Sequence, residues 1–401
     1  MRAANIPPVG FWIALLLFLA ACESEHSAPS SDTASQPPLF ENVATASGLD
    51  FVHVNGMSGE KYFVEMTGAG GALLDYDSDG DLDVYAVQGH PIEAAADTLE
   101  DAVYQDRLYR NDLTIRPDGS RSMTFTDVTE ESHLRATGYG MGVAAGDVNN
   151  DGHPDLYVTN WGPNQLWINN GDGTFTDATQ PGITDDPRWS TSAALVDFDR
   201  DGWLDLMVVN YVAYRLENEH PCFASRSGRR DYCGPQSYTA ESDRLLHNRG
   251  DGTFEDVTVE MGLSQTFGAG LGIAVADFNE DGWPDLYVAN DGMENQLWIN
   301  QEGQRFENES VQAGTAVNMS GATEASMGVV AADFDDDGDE DLFMTHLNGE
   351  TNTLYMNMGG ALFEDRSRPA GLGQASWPYT AFGTDALDYD LDGWLDLFVA
   401  N

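Results

Sequence analysis

The chain contains six copies of one acidic loop, and this repeat restricts the folds that it can adopt. Each copy reads Asp, any residue, Asp or Asn, any residue, Asp-Gly, any two residues, Asp. The copies begin at Asp75, Asp147, Asp197, Asp277, Asp333 and Asp388. The Gly at position six suits a sharp backbone turn. Hard cations such as Ca²⁺ bind about six to eight oxygen ligands, so the repeat predicts a series of calcium-binding loops.

Four positions of each loop are predicted to bind the ion through side chains, and position seven through its backbone carbonyl. The residue at position seven varies, as expected if only its main-chain oxygen is used. The predicted ligands, in chain order, are Asp75, Asp77, Asp79, Asp81, Asp83, Asp147, Asn149, Asp151, His153, Asp155, Asp197, Asp199, Asp201, Trp203, Asp205, Asp277, Asn279, Asp281, Trp283, Asp285, Asp333, Asp335, Asp337, Asp339, Asp341, Asp388, Asp390, Asp392, Trp394 and Asp396. About six structural calcium ions follow, one for each loop. Solvated Asp turns without metal are the alternative, although carboxylates crowded in this way would repel each other.

An EF-hand loop shares these opening positions, so that alternative needs a test. EF-hand loops place a bidentate Glu at position twelve and lie between helices. Here position twelve is Ala86, Val158, Val208, Val288, Met344 or Val399. Runs of β-branched and aromatic residues follow each loop, which is typical of strands. The loops are therefore predicted to join strands, and an EF-hand is excluded.

The acidic loop is part of a longer repeat. Successive loops begin 72, 50, 80, 56 and 55 residues apart. After each of the first five loops come a strand ending in Asn, a Gly-containing turn and then Phe-x-Asp or Phe-x-Asn. Units of four short strands cannot bury a core alone, but their radial stacking forms a β-propeller. The predicted fold class is all-β: a β-propeller of six four-stranded blades that carry the calcium loops, with seven blades as the alternative.

The repeat predicts several further features of the chain. Insertions are predicted at residues 89–106 and 211–243, and FENVA (Phe40–Ala44) is predicted to be an N-terminal strand that closes the ring. The residues predicted to pack between blades are Leu166, Trp167, Leu297, Trp298 and Tyr355. Polar residues end each second strand, and they either line a ligand mouth or cap a turn: Gln88, Asn160, Asn210, Asn290, His346 and Asn401.

These motifs resemble the FG-GAP (VCBS) repeats of integrin α-subunit propellers and of many bacterial surface proteins. The chain also resembles the bacterial ASPIC/UnbV family related to cartilage acidic protein. The matching segments are FVHVNGMSGEKYFVEMTGAGGALLDYDSDGDLDVY, PCFASRSGRRDYCGP and WPYTAFGTDALDYDLDGWLDLFVAN. The resemblance covers Phe40 to Asn401. It implies a propeller, usually seven-bladed and followed by a C-terminal domain, with a role in adhesion or matrix interaction.

The N-terminus predicts export. Residues 1–21 are predicted to be a lipoprotein signal peptide, because Arg2 precedes a short apolar run that ends in Leu-Ala-Ala and Cys22. Cys22 would be lipidated after cleavage, and an uncleaved anchor helix is the alternative. Residues 22–38 are predicted to be a flexible tether, and residues 39–401 the propeller. The expected location is the outer membrane or cell surface, with the periplasmic face as an alternative.

The remaining cysteines and the charge restrict the partners. Cys222 and Cys233 are predicted to form a disulfide, with zinc binding as the weaker interpretation. The chain has 67 acidic and 18 basic residues, for a net charge of −49. Such a charge repels phosphate backbones and excludes nucleic-acid binding, and membrane contact is expected only through the lipid anchor. Near the cysteines, Arg226, Arg229 and Arg230 are candidate partner contacts, or else they bridge neighbouring acidic groups.

Two functions are consistent with these patterns. The first is a non-enzymatic module that binds or adheres to a protein or a polysaccharide. The second is a propeller-based enzyme that acts on a polysaccharide or on a small periplasmic molecule. The sequence contains no HExxH, GxSxG or P-loop motif. The binding module is therefore the leading hypothesis, because the predicted metal ions would be held by protein oxygens and stiffen the fold.

Overall fold

A computed structural model describes residues 40–92, 104–183 and 187–401. Contacts within the chain divide it into Met1–Val43 and Ala44–Asn401, and all strands of the described residues belong to the second unit. The predicted signal peptide and tether, including Cys22, lie outside the described residues. Within the described part, no helix has the length and apolar character needed to cross a membrane.

In the described residues, five antiparallel sheets have four strands each, and a sixth has two. The first sheet contains β1 (Gly71–Leu74), β2 (Asp83–Ala86), β3 (Arg107–Asn111) and β6 (Phe125–Asp127), with the hairpin β4 (Thr114–Ile115) and β5 (Arg121–Ser122) inserted. The second contains β7 (Gly140–Gly146), β8 (Asp155–Asn160), β9 (Gln165–Asn169) and β10 (Phe175–Asp177). The third contains β11 (Ser190–Val196), β12 (Asp205–Asn210), β15 (Arg244–Asn248) and β16 (Phe254–Asp256), with the hairpin β13 (Cys222–Phe223) and β14 (Arg230–Asp231) inserted.

The fourth sheet contains β17 (Gly270–Ala276), β18 (Asp285–Asn290), β19 (Gln296–Asn300) and β20 (Phe306–Asn308). The fifth contains β21 (Val329–Ala332), β22 (Asp341–Met344), β23 (Thr353–Asn357) and β24 (Phe363–Asp365), and the sixth contains β25 (Thr384–Leu387) and β26 (Asp396–Val399). The short helices are α1 (Ala44–Ser47), α2 (Ser310–Ala313) and α3 (Leu372–Ser376). Single 3-10 turns occupy Phe63–Met66, Leu216–Asn218, Pro235–Ser237 and Leu263–Gln265.

The first strands of the sheets lie side by side in chain order, as in a β-propeller. β1 contacts β7, β7 contacts β11, and the series continues through β17 and β21 to β25. Small residues permit this approach: a Cβ on Gly272 in β17 would collide with the Met327 carbonyl of the next sheet. The prediction of an all-β propeller is confirmed.

The hydrophobic core lies between adjacent sheets. Trp167 of the second sheet packs in one cluster with Tyr85 and Leu108 of the first. Trp298 packs with Met207 and Val209 of the third sheet. The other predicted inter-blade residues are also buried in clusters that join neighbouring sheets: Leu166, Leu297 and Tyr355. Burial of these large side chains holds the blades together, as the repeat predicted.

The predicted closure of the ring is not found in the structure. The sixth sheet has two strands, β25 and β26, in the described residues. The closing strand predicted at Phe40–Ala44 is not formed, since residues 40–43 have no regular secondary structure and α1 begins at Ala44. The Ala44 carbonyl instead accepts from the N–H of Leu49 at 2.8 Å and from the hydroxyl of Ser47 at 3.0 Å, so the end of this segment forms a local turn.

A cap formed by two distant segments covers part of the rim opposite the acidic loops. Phe63 is 2 % exposed and packs against Trp189, Tyr211, Tyr214 and Tyr238, with ring centroids 5.3–5.9 Å apart. The segment around Phe63 therefore docks on the insertion of the third sheet, which the sequence did not predict. Aromatic pairs in this range stabilise beyond their buried area.

Candidate metal centres and the opposite rim

Each acidic loop is held closed by bonds from its own backbone to its carboxylates. In the first loop, Asp75 accepts from the N–H groups of Asp79 and Gly80, both at 3.0 Å. Asp79 in turn accepts from the N–H of Asp81 at 3.0 Å. The same bonds recur in the other loops. The predicted ligands at positions one and five are thus oriented by the loop itself.

The loop backbone is left-handed at two positions. The Gly at position six has a φ between 87° and 98° in all six loops, which explains the repeated Asp-Gly pair. Position four also has a positive φ, between 56° and 61°. At Leu391 a branched side chain adopts this unfavourable conformation. The sequence carried no signal for position four, because the residue type there differs in every loop.

The carboxylate at position nine links the loop to the rest of its sheet. Asp155 is fully buried and accepts from the N–H groups of Val148 at 3.0 Å and Asn169 at 2.8 Å. The same pair of bonds is formed by Asp83, Asp205, Asp285 and Asp341. Burial raises the pKa of Asp155 to about 6, and the backbone donors partly oppose that shift. This predicted ligand therefore also joins the first turn of the loop to the third strand.

The donor set fits a hard divalent cation. Oxygens of Asp75, Asp77 and Asp83 lie within 4.8 Å of one another. The equivalent groups of the third and fifth loops, Asp197, Asp199, Asp205, Asp333, Asp335 and Asp341, do the same. Asp77 Oδ1 is buried and forms no hydrogen bond within the described part of the chain. Burial and the nearby charges of Asp79 and Asp75 raise the pKa of Asp77. A bound cation would satisfy this oxygen and offset the crowded charge.

His247 contacts the third loop, which was not predicted from the sequence. Its Nδ1 lies 3.0 Å from Asp205 Oδ1 and 3.6 Å from Asp199 Oδ2. His247 directly precedes Asn248, the Asn that ends the third strand. Its position in the repeat was therefore the signal that sequence reasoning missed.

Neighbouring loops also contact each other through positions four, six and seven. Ser78 Oγ lies 3.3 Å from His153 Nδ1 in the next loop. The guanidinium of Arg200 lies 5.1 Å from the ring centre of Trp283, and Asn150 donates to the Gly202 carbonyl at 2.8 Å. The side chain at position seven, expected to matter only through its carbonyl, therefore also joins adjacent blades.

The polar residues that end the second strands are buried and do not line an open mouth. Gln88, Asn160, Asn210, Asn290 and His346 are each less than 5 % exposed. Their backbone N–H groups donate to the residue that precedes each third strand: Asp106, Asn164, Asp243, Asn295 and Asn352. For these five, the hypothesis of a ligand mouth is wrong. The turn-cap alternative is not supported either, because none of them has a positive φ. Because these five residues are buried, their polar groups are assigned to hydrogen bonding inside the blade.

The rim opposite the acidic loops has a cavity of about 1050 Å³ at the fifth sheet. It is formed by the connections β20–β21 and β22–β23 together with α3. Carboxylates line it with a single guanidinium and an exposed indole: Glu324, Glu350, Asp365, Arg368 and Trp377. The sequence did not predict this cavity, because its lining comes from three separate connections.

The insertion of the third sheet contains the predicted disulfide between Cys222 and Cys233, which is confirmed, with Cα atoms 5.2 Å apart. Both sulfurs are used, which leaves no thiolate for zinc. Arg230 is partly exposed and already has partners within the protein, since it donates to the Glu60 carbonyl at 3.1 Å and pairs with Glu219 at 3.1 Å. The side chains of Arg226 and Arg229 are exposed. A disulfide indicates folding in an oxidising compartment.

The acidic loops and the strands around them match a known family of repeats. The model of the FG-GAP-like repeat matches residues 75–158, 147–208, 227–288, 277–344 and 333–399. The chain belongs to the FG-GAP-like repeat family. Each match begins or ends at an acidic loop or its following strand, so the family repeat and the repeat found in the sequence coincide.

Among curated proteins, the chain is similar to cartilage acidic protein 1. It is 25 % identical to the mouse (Mus musculus) protein over 350 residues, covering 83 % of this chain and 48 % of that protein. For the human (Homo sapiens) protein the identity is 24 %, covering 83 % of this chain and 47 % of that protein. The chain therefore spans about half the length of these relatives. The resemblance inferred from the sequence is confirmed.

Similar solved structures cover much of the chain at low identity. A lectin of Agrocybe aegerita that recognises non-reducing terminal N-acetylglucosamine is 15 % identical, with a TM-score of 0.42, and covers 82 % of this chain and 70 % of that one. The biofilm matrix protein Bap1 of V. cholerae is 14 % identical, with a TM-score of 0.36, and covers 73 % of this chain and 38 % of that one.

Proposed function

We propose that this protein is an exported, lipid-anchored, calcium-binding β-propeller that binds a protein or a polysaccharide and catalyses no reaction. The observation that carries the proposal is the recurrence of one loop geometry, with the same backbone-to-carboxylate bonds and the same two left-handed positions in every copy. Bound calcium would supply the positive charge that allows these carboxylates to stay ionised at short range.

The two rims would then have different tasks. In each complete blade, the position-nine carboxylate ties the acidic loop to the third strand, so a rigid loop also fixes the strand pairing. The opposite rim holds the insertion, the cap and the cavity, which do not repeat from blade to blade. The exposed Arg226 and Arg229 of the insertion would offer positive charge to a partner on an otherwise acidic body. Binding is therefore assigned to the opposite rim, and stiffening to the acidic loops.

Calcium binding is tested on the purified protein by metal analysis and thermal unfolding. After exhaustive chelation, adding calcium should restore about six ions per chain and raise the melting temperature, because an ion that binds only the folded state stabilises it. Magnesium at the same concentration serves as the control cation, since it prefers a smaller octahedral site. A metal-free protein with an unchanged melting temperature in calcium would contradict the proposal.

Lipid anchoring is tested separately through Cys22. The wild-type protein should partition into the detergent phase of a bacterial lysate and incorporate labelled fatty acid, whereas Cys22→Ser should do neither. Cys222→Ser provides the control, because it removes a cysteine without touching the signal sequence. Equal partitioning of Cys22→Ser and wild type would support the uncleaved anchor helix instead.

Partner binding is tested with a glycan array and a protein screen, each with and without chelator. The proposal expects a saturable ligand whose binding weakens in chelator, as the blades lose rigidity. The enzyme alternative is favoured by one observation, the carboxylates in the cavity, since pairs of carboxylates catalyse glycoside hydrolysis. Burial also raises the pKa of Glu324, a property of general acids. New reducing ends that are lost in Glu324→Gln and Glu350→Gln would favour the enzyme.

A further inference from the structure

The cavity at the fifth sheet has a preformed outer wall. The turn that begins at Asn318 is closed by its own side chain, which accepts from the N–H groups of Ser320 at 2.9 Å and Ala322 at 3.1 Å. This turn leads directly to Glu324. Because the turn is held by internal bonds, a ligand would not have to order it on binding.

The other two walls are hydrogen-bonded to each other. The N–H of Gly349 donates to the Trp377 carbonyl at 2.9 Å, and Asn348 donates its side-chain amide to the Pro378 carbonyl at 2.8 Å. These bonds fix the position of Trp377 relative to the β22–β23 connection. The indole is nevertheless 55 % exposed, so a large apolar face stands open at the edge of the cavity.

Two of the three cavity carboxylates, Glu350 and Asp365, are also held in fixed orientations. Glu350 accepts from the Ala325 N–H at 2.9 Å. Asp365 accepts from the Ser367 N–H at 3.0 Å and from the Ser367 hydroxyl at 2.6 Å, all through one oxygen. A carboxylate fixed by one set of donors can present its remaining lone pairs to a ligand hydroxyl or ammonium group.

The floor of the cavity is polar. Thr353 and Ser367 are buried beneath it, at 2 % and 6 % exposure, and both line it. Three carboxylates face one guanidinium, which makes the lining negative. A lining that combines an exposed indole with hydroxyl groups and carboxylates suits a ring with one apolar side and many hydrogen-bond donors. A negative lining disfavours uronic acids and sulfated sugars.

We propose that this cavity binds a sugar unit bearing hydroxyl and amino groups, with the ring stacked on Trp377 and the amino group directed to the carboxylates. The inference deepens the proposed binding function and rests on it. It narrows the ligand from a protein or polysaccharide to glycans that contain unacetylated hexosamine.

The test measures binding of three oligosaccharides to the full chain in calcium, by calorimetry: a glucosamine tetramer, an N-acetylglucosamine tetramer and a galacturonate tetramer. The glucosamine oligomer should bind most tightly, the neutral oligomer more weakly, and the acidic one not at all. Trp377→Ala should weaken both bound sugars about tenfold through loss of the stacking surface. Glu324→Gln should weaken the glucosamine oligomer about fivefold and leave the neutral oligomer unchanged.

Tyr379→Ala is the matched control, because Tyr379 has the same 55 % exposure and lies two residues away without lining the cavity. It should leave every affinity unchanged. Equal binding of all three sugars, or affinities that do not respond to Trp377→Ala, would overturn the assignment. Trilysine binding as tightly as the glucosamine oligomer would also overturn it, in favour of a basic peptide. If a ligand found in the screens binds Trp377→Ala as tightly as it binds the wild type, this site is refuted while the proposed binding function stays intact.

Discussion

The side-chain amide of Asn300 donates to the backbone carbonyl of Phe198, 2.8 Å away in the neighbouring sheet. The same amide group donates to the Pro284 carbonyl of its own acidic loop at 3.1 Å. Phe198 is position two of the preceding loop, and its N–H donates to Asp205 at 3.2 Å. One Asn therefore connects two successive acidic loops through their backbones. The equivalent inter-blade bonds are formed by Asn169, Asn248 and Asn357.

This relationship predicts a large effect for the isosteric change Asn300→Asp. Asn300 is 1 % exposed, and a carboxylate there would face two carbonyl oxygens in place of the two donors. We expect a loss of about 3 kcal/mol in unfolding free energy, the cost of an unsatisfied buried polar group with added charge. Chemical denaturation in calcium gives the measurement. Asn170→Asp, the same change at an exposed turn, should cost almost nothing, and equal losses would contradict the role of Asn300.

Two buried carboxylates predict a specific dependence of stability on pH. Burial raises the pKa of Asp106 and of Asp243 to about 7, partly opposed by the donors Tyr85 and Gln88 at Asp106 and by the donor Asn210 at Asp243. The folded state therefore holds these protons more tightly than the unfolded chain. Their contribution to stability is present below about pH 4 and is lost as pH rises to about 7. Each tenfold difference in proton affinity between the two states corresponds to roughly 1.4 kcal/mol.

Asp106→Asn and Asp243→Asn should each flatten that loss between pH 4 and pH 7. The change is conservative, because three other blades already have Asn at this position: Asn164, Asn295 and Asn352. Unfolding free energies at intervals of half a pH unit would show the effect. Asp118→Asn, at an exposed turn, serves as the control. A slope that is the same in the variants and wild type would contradict the assignment.

The calcium proposal predicts opposite effects of Asn149→Asp with and without metal. Asn149 donates its amide to Asp151 at 2.9 Å, so an Asp there would place two carboxylates in contact and lower stability in chelator. In calcium the added charge should tighten binding at this loop about fivefold. Competition with a fluorescent chelator measures the affinity. Asn170→Asp again adds the same charge outside the loops, and calcium affinity that falls in Asn149→Asp would count against this loop as a metal site.

The disulfide predicts local rather than global stabilisation. Cys222 and Cys233 close a loop of 11 residues that packs on the cap, so Cys222→Ser with Cys233→Ser should cost about 2–3 kcal/mol, mainly in the insertion. Hydrogen exchange should accelerate between residues 215 and 237 and around Phe63, whose ring stacks on Tyr238. Strands of the fourth and fifth sheets should keep their protection. Uniform acceleration across all sheets would refute a local role.

The acidic loops were predictable because their geometry is local. Asp75 and Gly80 are five residues apart, and the turn between them needs only short-range bonds. The strand-forming runs after each loop, and the disulfide spacing in the insertion, were readable for the same reason. The regular repeat of these local elements then predicted a propeller, since four-stranded units need neighbours to bury their faces.

Other features depend on residues that are distant in the sequence. Asn300 and Phe198 lie 102 residues apart, and the Asn that ends each third strand carried no sign that it reaches the preceding blade. His247 is 42 residues from Asp205, and only the pairing of the third strand brings the two together. The strand expected at Phe40–Ala44 did not form, because Ala44 uses its carbonyl in local bonds with Ser47 and Leu49.

The sequence by itself determined the repeat, the oxygen-rich loops and the all-β class, because each depends on side chains within about ten residues of one another or on a regular period. Only the tertiary structure decided which groups are buried, which loops touch and where a cavity opens. Those outcomes depend on how separate connections converge on one rim. Glu324, Glu350 and Trp377 come together through three such connections, and no spacing in the chain encodes their distance.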